Sequence, residues 1–158
     1  MVNPMKRVDA KSHCPINFAL ETFGDPWSLL IVRDIVYFGK KTYGEFLHSE
    51  ERIATNVLAS HLCDLEKRGI IAKCQCPDDR RKDDYSLTEK GLQLIPVLTT
   101  VALWGADHDT ETDAPKTWIE LVKADKPHID SLIYQTVKEG RAVFVGPQSL
   151  VSELKVAF

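Results

Sequence analysis

Residues 53–91, IATNVLASHLCDLEKRGIIAKCQCPDDRRKDDYSLTEKG, change period twice within one stretch. From Ala54 to Arg68 the apolar residues Val57, Leu58, Leu62 and Leu65 recur at helical spacing with His61, while Thr55, Asn56, Ser60 and Lys67 fall outside that stripe. Gly69 suits a left-handed helix end. IIAKCQC then reads as a strand, with Pro77 at its end. DDRRKDD is a polar tip, DYSLT is a returning strand, and Thr88 is an N-cap for the helix that follows. An amphipathic helix, a charged hairpin and a second helix in that order set the frame for everything around them.

Working upstream, KTYGEFLHS predicts a short helix from Thr42 to about Ser49 that buries Phe46 and Leu47, with a turn from Glu50 to Ile53 leading into the longer helix. GDPWSLLIVRDIVYFGKK predicts a nearly buried helix capped by Asp25, with Pro26 in its first turn and Gly39 as its stop. CPINFALETFG repeats that plan in miniature. Its Ile16, Ala19, Leu20 and Phe23 share one face, expected to pack beside the buried helix. Downstream, EKGLQLIPVLTTVALWGADHD predicts one long helix kinked at Pro96. Past the acidic linker DTETDAPK, helices are expected at Lys116–Lys123 and Pro127–Glu139, a short strand at Ala142–Val145 and a last helix from Pro147. The fold class is therefore mainly α with a small β-hairpin: a winged helix-turn-helix over residues 1–108 and a mostly helical extension over 109–158, packing on the main body or on a second subunit.

Composition narrows the function classes. The chain has 158 residues, 20 Lys and Arg against 23 Asp and Glu, and a formal net charge of -3, so any surface for nucleic acid must be local. Its apolar run LLIVRDIVYF is interrupted by Arg33 and Asp34 and is too short to span a bilayer. With no apolar leader, four cysteines point to a cytoplasmic protein with reduced thiols. No GxSxG, glycine-rich phosphate loop or HExxH is present, which argues against an enzyme. Cys74 and Cys76 are too far apart along a strand for a disulfide, and neither they nor Cys63 and His61 have zinc-ligand spacing, so neither metal nor cofactor is expected. His61 reads as a packed histidine.

A helix reads bases in the major groove only if its exposed side chains are small or hydrogen-bonding and its flanks can meet phosphates. Thr55, Asn56 and Ser60 fit the first need, Asn56 through bidentate pairing with adenine. Lys41, Thr42 and Arg52 fit the second, and Arg80, Arg81 and Lys82 are the candidates at the wing. Taken alone, RRK is a solvated turn and Asn56 and Ser60 an ordinary exposed face. Their position around a helix-turn-helix gives them a reading as a DNA interface, with Asp78, Asp79, Asp83 and Asp84 diluting the wing's charge. Cys14 precedes Pro15 at a helix start, where free amides favour a thiolate, and Lys11 and His13 are nearby cations. It is either a redox-sensing thiol or a simple cap residue.

The segments CPINFALETFGDPWSLLIVRDIVYFGKKTYGEFL, IATNVLASHLCDLEKRGII and DYSLTEKGLQLIPVL, in this order from Cys14 to Trp104, resemble the HxlR-type family of bacterial winged-helix transcription regulators, within the MarR/ArsR-like superfamily. That resemblance implies a homodimer joined through its N-terminal and long C-terminal helices, bound to a pseudo-palindromic double-stranded operator. Cys14 stands at the CP position through which some relatives sense oxidants or electrophiles, so a small-molecule or oxidant effector is implied too. The acidic wing departs from many relatives. The rival classes are a winged-helix protein-interaction module, for which that wing is the warning sign, and a thiol or metal switch without direct operator binding.

Overall fold

The structure is a computed structural model and describes residues 11–157. In chain order it contains α1 (Pro15–Phe23), α2 (Ser28–Phe38), α3 (Tyr43–Leu47), α4 (Thr55–Lys67), β1 (Ile71–Gln75), β2 (Asp83–Leu87), α5 (Glu89–Leu92), α6 (Ile95–His108), α7 (Lys116–Ala124), α8 (Lys126–Lys138) and α9 (Leu150–Glu153). β1 and β2 pair antiparallel from Ile71 opposite Leu87 to Gln75 opposite Asp83. This is the winged helix-turn-helix that the change of period implies, with α3 and α4 as the helix pair and β1–β2 as the wing.

Local chemistry explains most boundaries. The Asp25 carboxylate accepts from the amides of Trp27 and Ser28, both at 2.8 Å, so it caps the entry to α2 even though the helix proper starts at Ser28. Partial burial pushes its pKa up, but the Ser28 and Trp27 bonds and the nearby His61 outweigh that and hold it below the usual carboxylate range. Thr42 and Glu45 form a reciprocal capping box at α3. Gly39 and Gly69 take positive φ of 63° and 70° just past α2 and α4.

Three expectations change. The long helix is two, α5 and α6, broken at Gln93–Leu94; Pro96 falls in the first turn of α6, where its missing N–H costs nothing, and so introduces no mid-helix kink. Residues 142–145 form no strand. The Val143 and Phe144 amides instead donate to the Val36 and Tyr37 carbonyls at 3.0 Å each, satisfying acceptors left open at the C-terminal end of α2. Finally, α1 lays down only part of its apolar face: Phe23 packs against the buried cluster and Ala19 is half-buried, whereas Ile16 and Leu20 are exposed.

A single buried cluster runs through the molecule, from Val32 and Val36 of α2, through Phe46, Leu58, Leu65 and Ile95, to Trp118, Val122, Ile133, Val143 and Leu150. The extension thus packs on the body of its own chain. A buried polar contact locks it there: Thr99 of α6 donates to Asp130 of α8 at 2.6 Å, and Lys126 bonds Asp130 at 2.6 Å and the Pro96 carbonyl at 3.0 Å. The Phe144 ring stacks on Tyr37, with centroids 5.2 Å apart, and meets Trp118 edge-on at 5.3 Å.

A second junction closes the wing onto the helix pair. Where α4 ends, the Thr88 hydroxyl donates to the Gly69 carbonyl at 2.5 Å and the Thr88 amide to the Ile70 carbonyl at 3.0 Å. Lys90 reaches the Arg68 carbonyl at 2.7 Å. The same Ile70 carbonyl lies so close to Gly91 that a Cβ there would stand 2.1 Å from its oxygen. The GII and TEKG segments are therefore two halves of one clasp.

Candidate nucleic-acid interface

The turn between α3 and α4 is held from beneath by a charge network. Asp34, buried in α2, accepts from Arg33 Nη2 at 2.7 Å, from Lys40 Nζ at 3.0 Å and from the Ser49 hydroxyl, so its buried charge is fully partnered. Arg33 also bonds both carboxylate oxygens of Glu51 in the turn, Nη2 at 2.9 Å and Nη1 more closely. Glu51 is held below the usual carboxylate range by that guanidinium. The Tyr43 hydroxyl donates to the Thr55 carbonyl at 2.8 Å, pinning the start of α4 to α3. None of these supports stood out in the sequence. Arg33 and Asp34 showed there only as breaks in an apolar run.

On that base α4 buries Leu58, Leu62 and Leu65 and exposes Thr55, Asn56, Ala59, Ser60 and Cys63. The expected Thr55, Asn56 and Ser60 therefore share an outer face, and Ala59 and Cys63, not singled out in the sequence, lie with them. Their signal was available in the three- and four-residue steps 56, 59, 60, 63. His61 is half-buried with its Nδ1 3.4 Å from Asp25, a packed and paired position. Among the described residues no group of three potential metal ligands comes together, and the four cysteines are free thiols.

Lys41 is exposed and Thr42 half-buried at the start of α3. The Thr42 oxygen accepts from the Glu45 amide at 3.3 Å, and its hydroxyl also hydrogen-bonds the Glu45 carboxylate. Arg52 is exposed in the turn with φ of 54°, a left-handed conformation unusual for a side-chain-bearing residue. At the wing tip Arg80, Arg81 and Lys82 are all exposed. Asp79 turns inward on this tip, accepting from the Arg81 amide at 3.1 Å and Nε at 3.3 Å and lying 3.9 Å from Lys82 Nζ. Its charge is thereby spent within the loop, and the Arg81 amide and guanidinium hold it below the usual carboxylate range. The Arg81 side chain remains 92% exposed. The wing is stapled to the helix pair by the Tyr85 amide, which donates to the Lys41 carbonyl at 2.7 Å, beside an isolated bridge between Thr42 and Asp84.

Away from this face, Cys14 caps α1 and is exposed. The amides of Asn17 and then Ile16 hold its thiol below the ordinary range. The helix start does this rather than the charges of Lys11 and His13. Among the described residues no helix is long and apolar enough to cross a membrane.

Comparison with known proteins bears on the whole arrangement. The family model described as "HxlR-like helix-turn-helix" matches residues 22–113. An uncharacterized HTH-type transcriptional regulator of Synechocystis, sll1512, is 31% identical over 94 residues, covering 60% of this chain and 69% of its own. Among solved structures, the candidate transcription factor PA1607 superposes with a TM-score of 0.60 at 33% identity, covering 68% of this chain and 74% of its own. The redox regulator HypR, in its oxidized form, gives 0.55 at 30% identity, covering 61% and 98%. The match takes in α2 to α6 and the clasped wing, and so the chain belongs to the HxlR-like helix-turn-helix family: it is a transcriptional regulator with a winged helix-turn-helix DNA-binding domain.

Proposed function

We propose that the protein acts in the cytoplasm as a homodimer on a pseudo-palindromic operator. α4 enters the major groove, Lys41, Thr42 and Arg52 meet phosphates beside it, and Arg80, Arg81 and Lys82 reach the flanking backbone or minor groove from the wing. The observation that carries this is the outer face of α4: Thr55, Asn56, Ala59 and Ser60 are small, hydrogen-bonding or methyl-bearing, all exposed, and on a helix whose start is fixed by Tyr43. Dimerisation is supported by apolar side chains left open on one chain, with Ile16 and Leu20 of α1 exposed by 70% and 60%, and Val101 and Trp104 of α6 by 50% and 67%. Two-fold symmetry then sets half-sites about one helical turn, ~34 Å, or a small multiple apart.

Selection of bound fragments from genomic DNA, followed by fluorescence titration of the recovered site over a range of salt, tests the reading. Arg81→Ala is expected to weaken all sequences alike and to reduce the salt slope by about one. Asn56→Ala is expected to cost about 1–3 kcal/mol at the preferred site and to relax the choice of base there. A chain that recovers no site, or whose two variants bind as the parent does, belongs instead with winged-helix modules that contact proteins.

A second reading concerns control. Cys14 is exposed at a helix start that lowers its thiol, and HypR, a redox regulator, is among the similar structures. We infer that oxidation of Cys14 changes operator affinity. Hydrogen peroxide should shift the titration of the parent and not that of Cys14→Ser, with mass spectrometry locating the modification. An equal shift in both would remove Cys14 from the mechanism.

A further inference from the structure

Between the winged-helix body and the extension lies a cavity of about 360 Å³, at the small end of the ~300–1,000 Å³ typical of small-molecule sites. Its apolar lining comes from Ile35 of α2, Leu87 of β2, Leu92 of α5 and Val137 of α8. Four cations also line it, Lys40, Lys41, Lys138 and Arg141, against the single carboxylate of Glu89. Two of the four are committed elsewhere: Lys40 to Asp34 at 3.0 Å, and Arg141 to Glu139 at 2.6 Å and Glu153 at 2.8 Å. The other two are looser. Lys138 stands 3.9 Å from Glu89, the outer limit of an ion pair, with its Nζ 3.4 Å from the Tyr134 hydroxyl and 5.3 Å from the centre of that ring. Lys41 makes no ion pair among the described residues, its charge being felt by the Glu45 carboxylate. They come from different walls, Lys41 from the segment joining α2 to α3 and Lys138 from the end of α8.

An apolar slot with two ammonium groups outside any close ion pair fits a molecule with a negative head and a short greasy body. We propose that this cavity is the receptor site of a small organic anion, a carboxylate with a compact apolar body, and that its binding between Lys41 and Lys138 lowers affinity for DNA. The second half rests on the reading in which Lys41 meets a phosphate. Coupling follows from the position of Lys41: its carbonyl holds the wing through Tyr85, and its amide and that of Thr42 bond Glu45 at the start of α3. An anion there neutralises a charge offered to the backbone and loads the strut joining wing and helix pair. The wall supplied by Val137, Lys138 and Arg141 lies beyond residues 22–113, so this chain's extension builds the site, which the family segment alone does not contain.

Calorimetric titration of the full-length chain with acetate, benzoate and octanoate tests the site, with benzamide as the neutral counterpart of benzoate. Benzoate or octanoate is expected to bind once per chain, and benzamide at least about tenfold more weakly, as loss of a charge-assisted contact implies. Lys138→Gln should weaken the acid about tenfold, and Ser86→Phe, which fills the cavity from β2, should abolish it. Should Ser86→Phe fail to fold, Lys138→Gln decides. At saturation the acid should weaken operator binding about tenfold in the parent, and Lys138→Gln should need about tenfold more acid for the same response. The site is overturned if no acid binds saturably, if benzamide matches benzoate, or if binding ignores Lys138→Gln. Binding that leaves operator affinity unchanged overturns the regulatory half. A chain that binds no operator at all sinks that half together with the proposed function, while the calorimetry on free protein still decides the cavity.

Discussion

Gly91→Ala is expected to cost about 3 kcal/mol or more, a large fraction of the ~5–15 kcal/mol by which a domain of this size is stable. A Cβ at this position would stand 2.1 Å from the Ile70 carbonyl oxygen and 3.1 Å from its carbon. Neither atom can move cheaply, because the same carbonyl accepts from the Thr88 amide at 3.0 Å and hydroxyl at 3.1 Å, and Ile70 is itself buried. Relief requires opening the clasp between the end of α4 and the start of α5, which would swing the wing away from α4. Urea unfolding measures the loss. A variant as stable as the parent would mean that α5 shifts freely against Ile70, contrary to the packing described. Gly44→Ala is the control, since a Cβ there meets nothing within 4 Å.

Removal of residues 115–158 is expected to leave a chain that does not fold as a soluble regulator. Trp118, Val122, Ile129, Ile133, Val143, Leu150 and Val151 would leave the core together. What counts is the surface uncovered on the body left behind: α6 would lose the wall that α7 and α8 form against it. At about 1.5–3 kcal/mol for each large core side chain exposed, a few such positions match the net stability of a domain. α2 would lose the amides that satisfy Val36 and Tyr37. A milder form isolates the effect: Ile133→Ala, at a fully buried position, should cost about 2–5 kcal/mol. Circular dichroism and gel filtration of both chains check this. A truncated chain that is folded, soluble and as stable as the parent would separate the two parts into independent units.

The winged helix-turn-helix was legible because its signals are local. Helical spacing from Val57 to Leu65, the glycine at 69, the alternation after it and Thr88 as a cap each report on a few neighbouring residues. The exposed face of α4 was legible for the same reason. What escaped depends on partners distant in the chain. Residues 142–145 look like a strand by composition, yet their amides go to open carbonyls of α2, which no local pattern announces. The apolar face of α1 reads as core, and a single chain buries only its Phe23 end, leaving Ile16 and Leu20 open. Pro96 was read as a kink because an apolar run continued across it, while the break two residues earlier made it an ordinary first-turn proline. The Arg33–Asp34–Lys40–Ser49–Glu51 network needed the turn at 48–54 folded back on α2 before its charges could meet.

The bond from Val143 and Phe144 to the end of α2 also orders events in time. A ribosome delivers α2, α3, α4 and the wing long before residues 143 and 144 emerge, and until then the second helix keeps open acceptors and its core lacks a wall. The winged-helix part therefore has no finished core until those residues have been made. A message cut short past the wing would yield a chain with α4 and the wing in place and no finished core, a target for proteolysis.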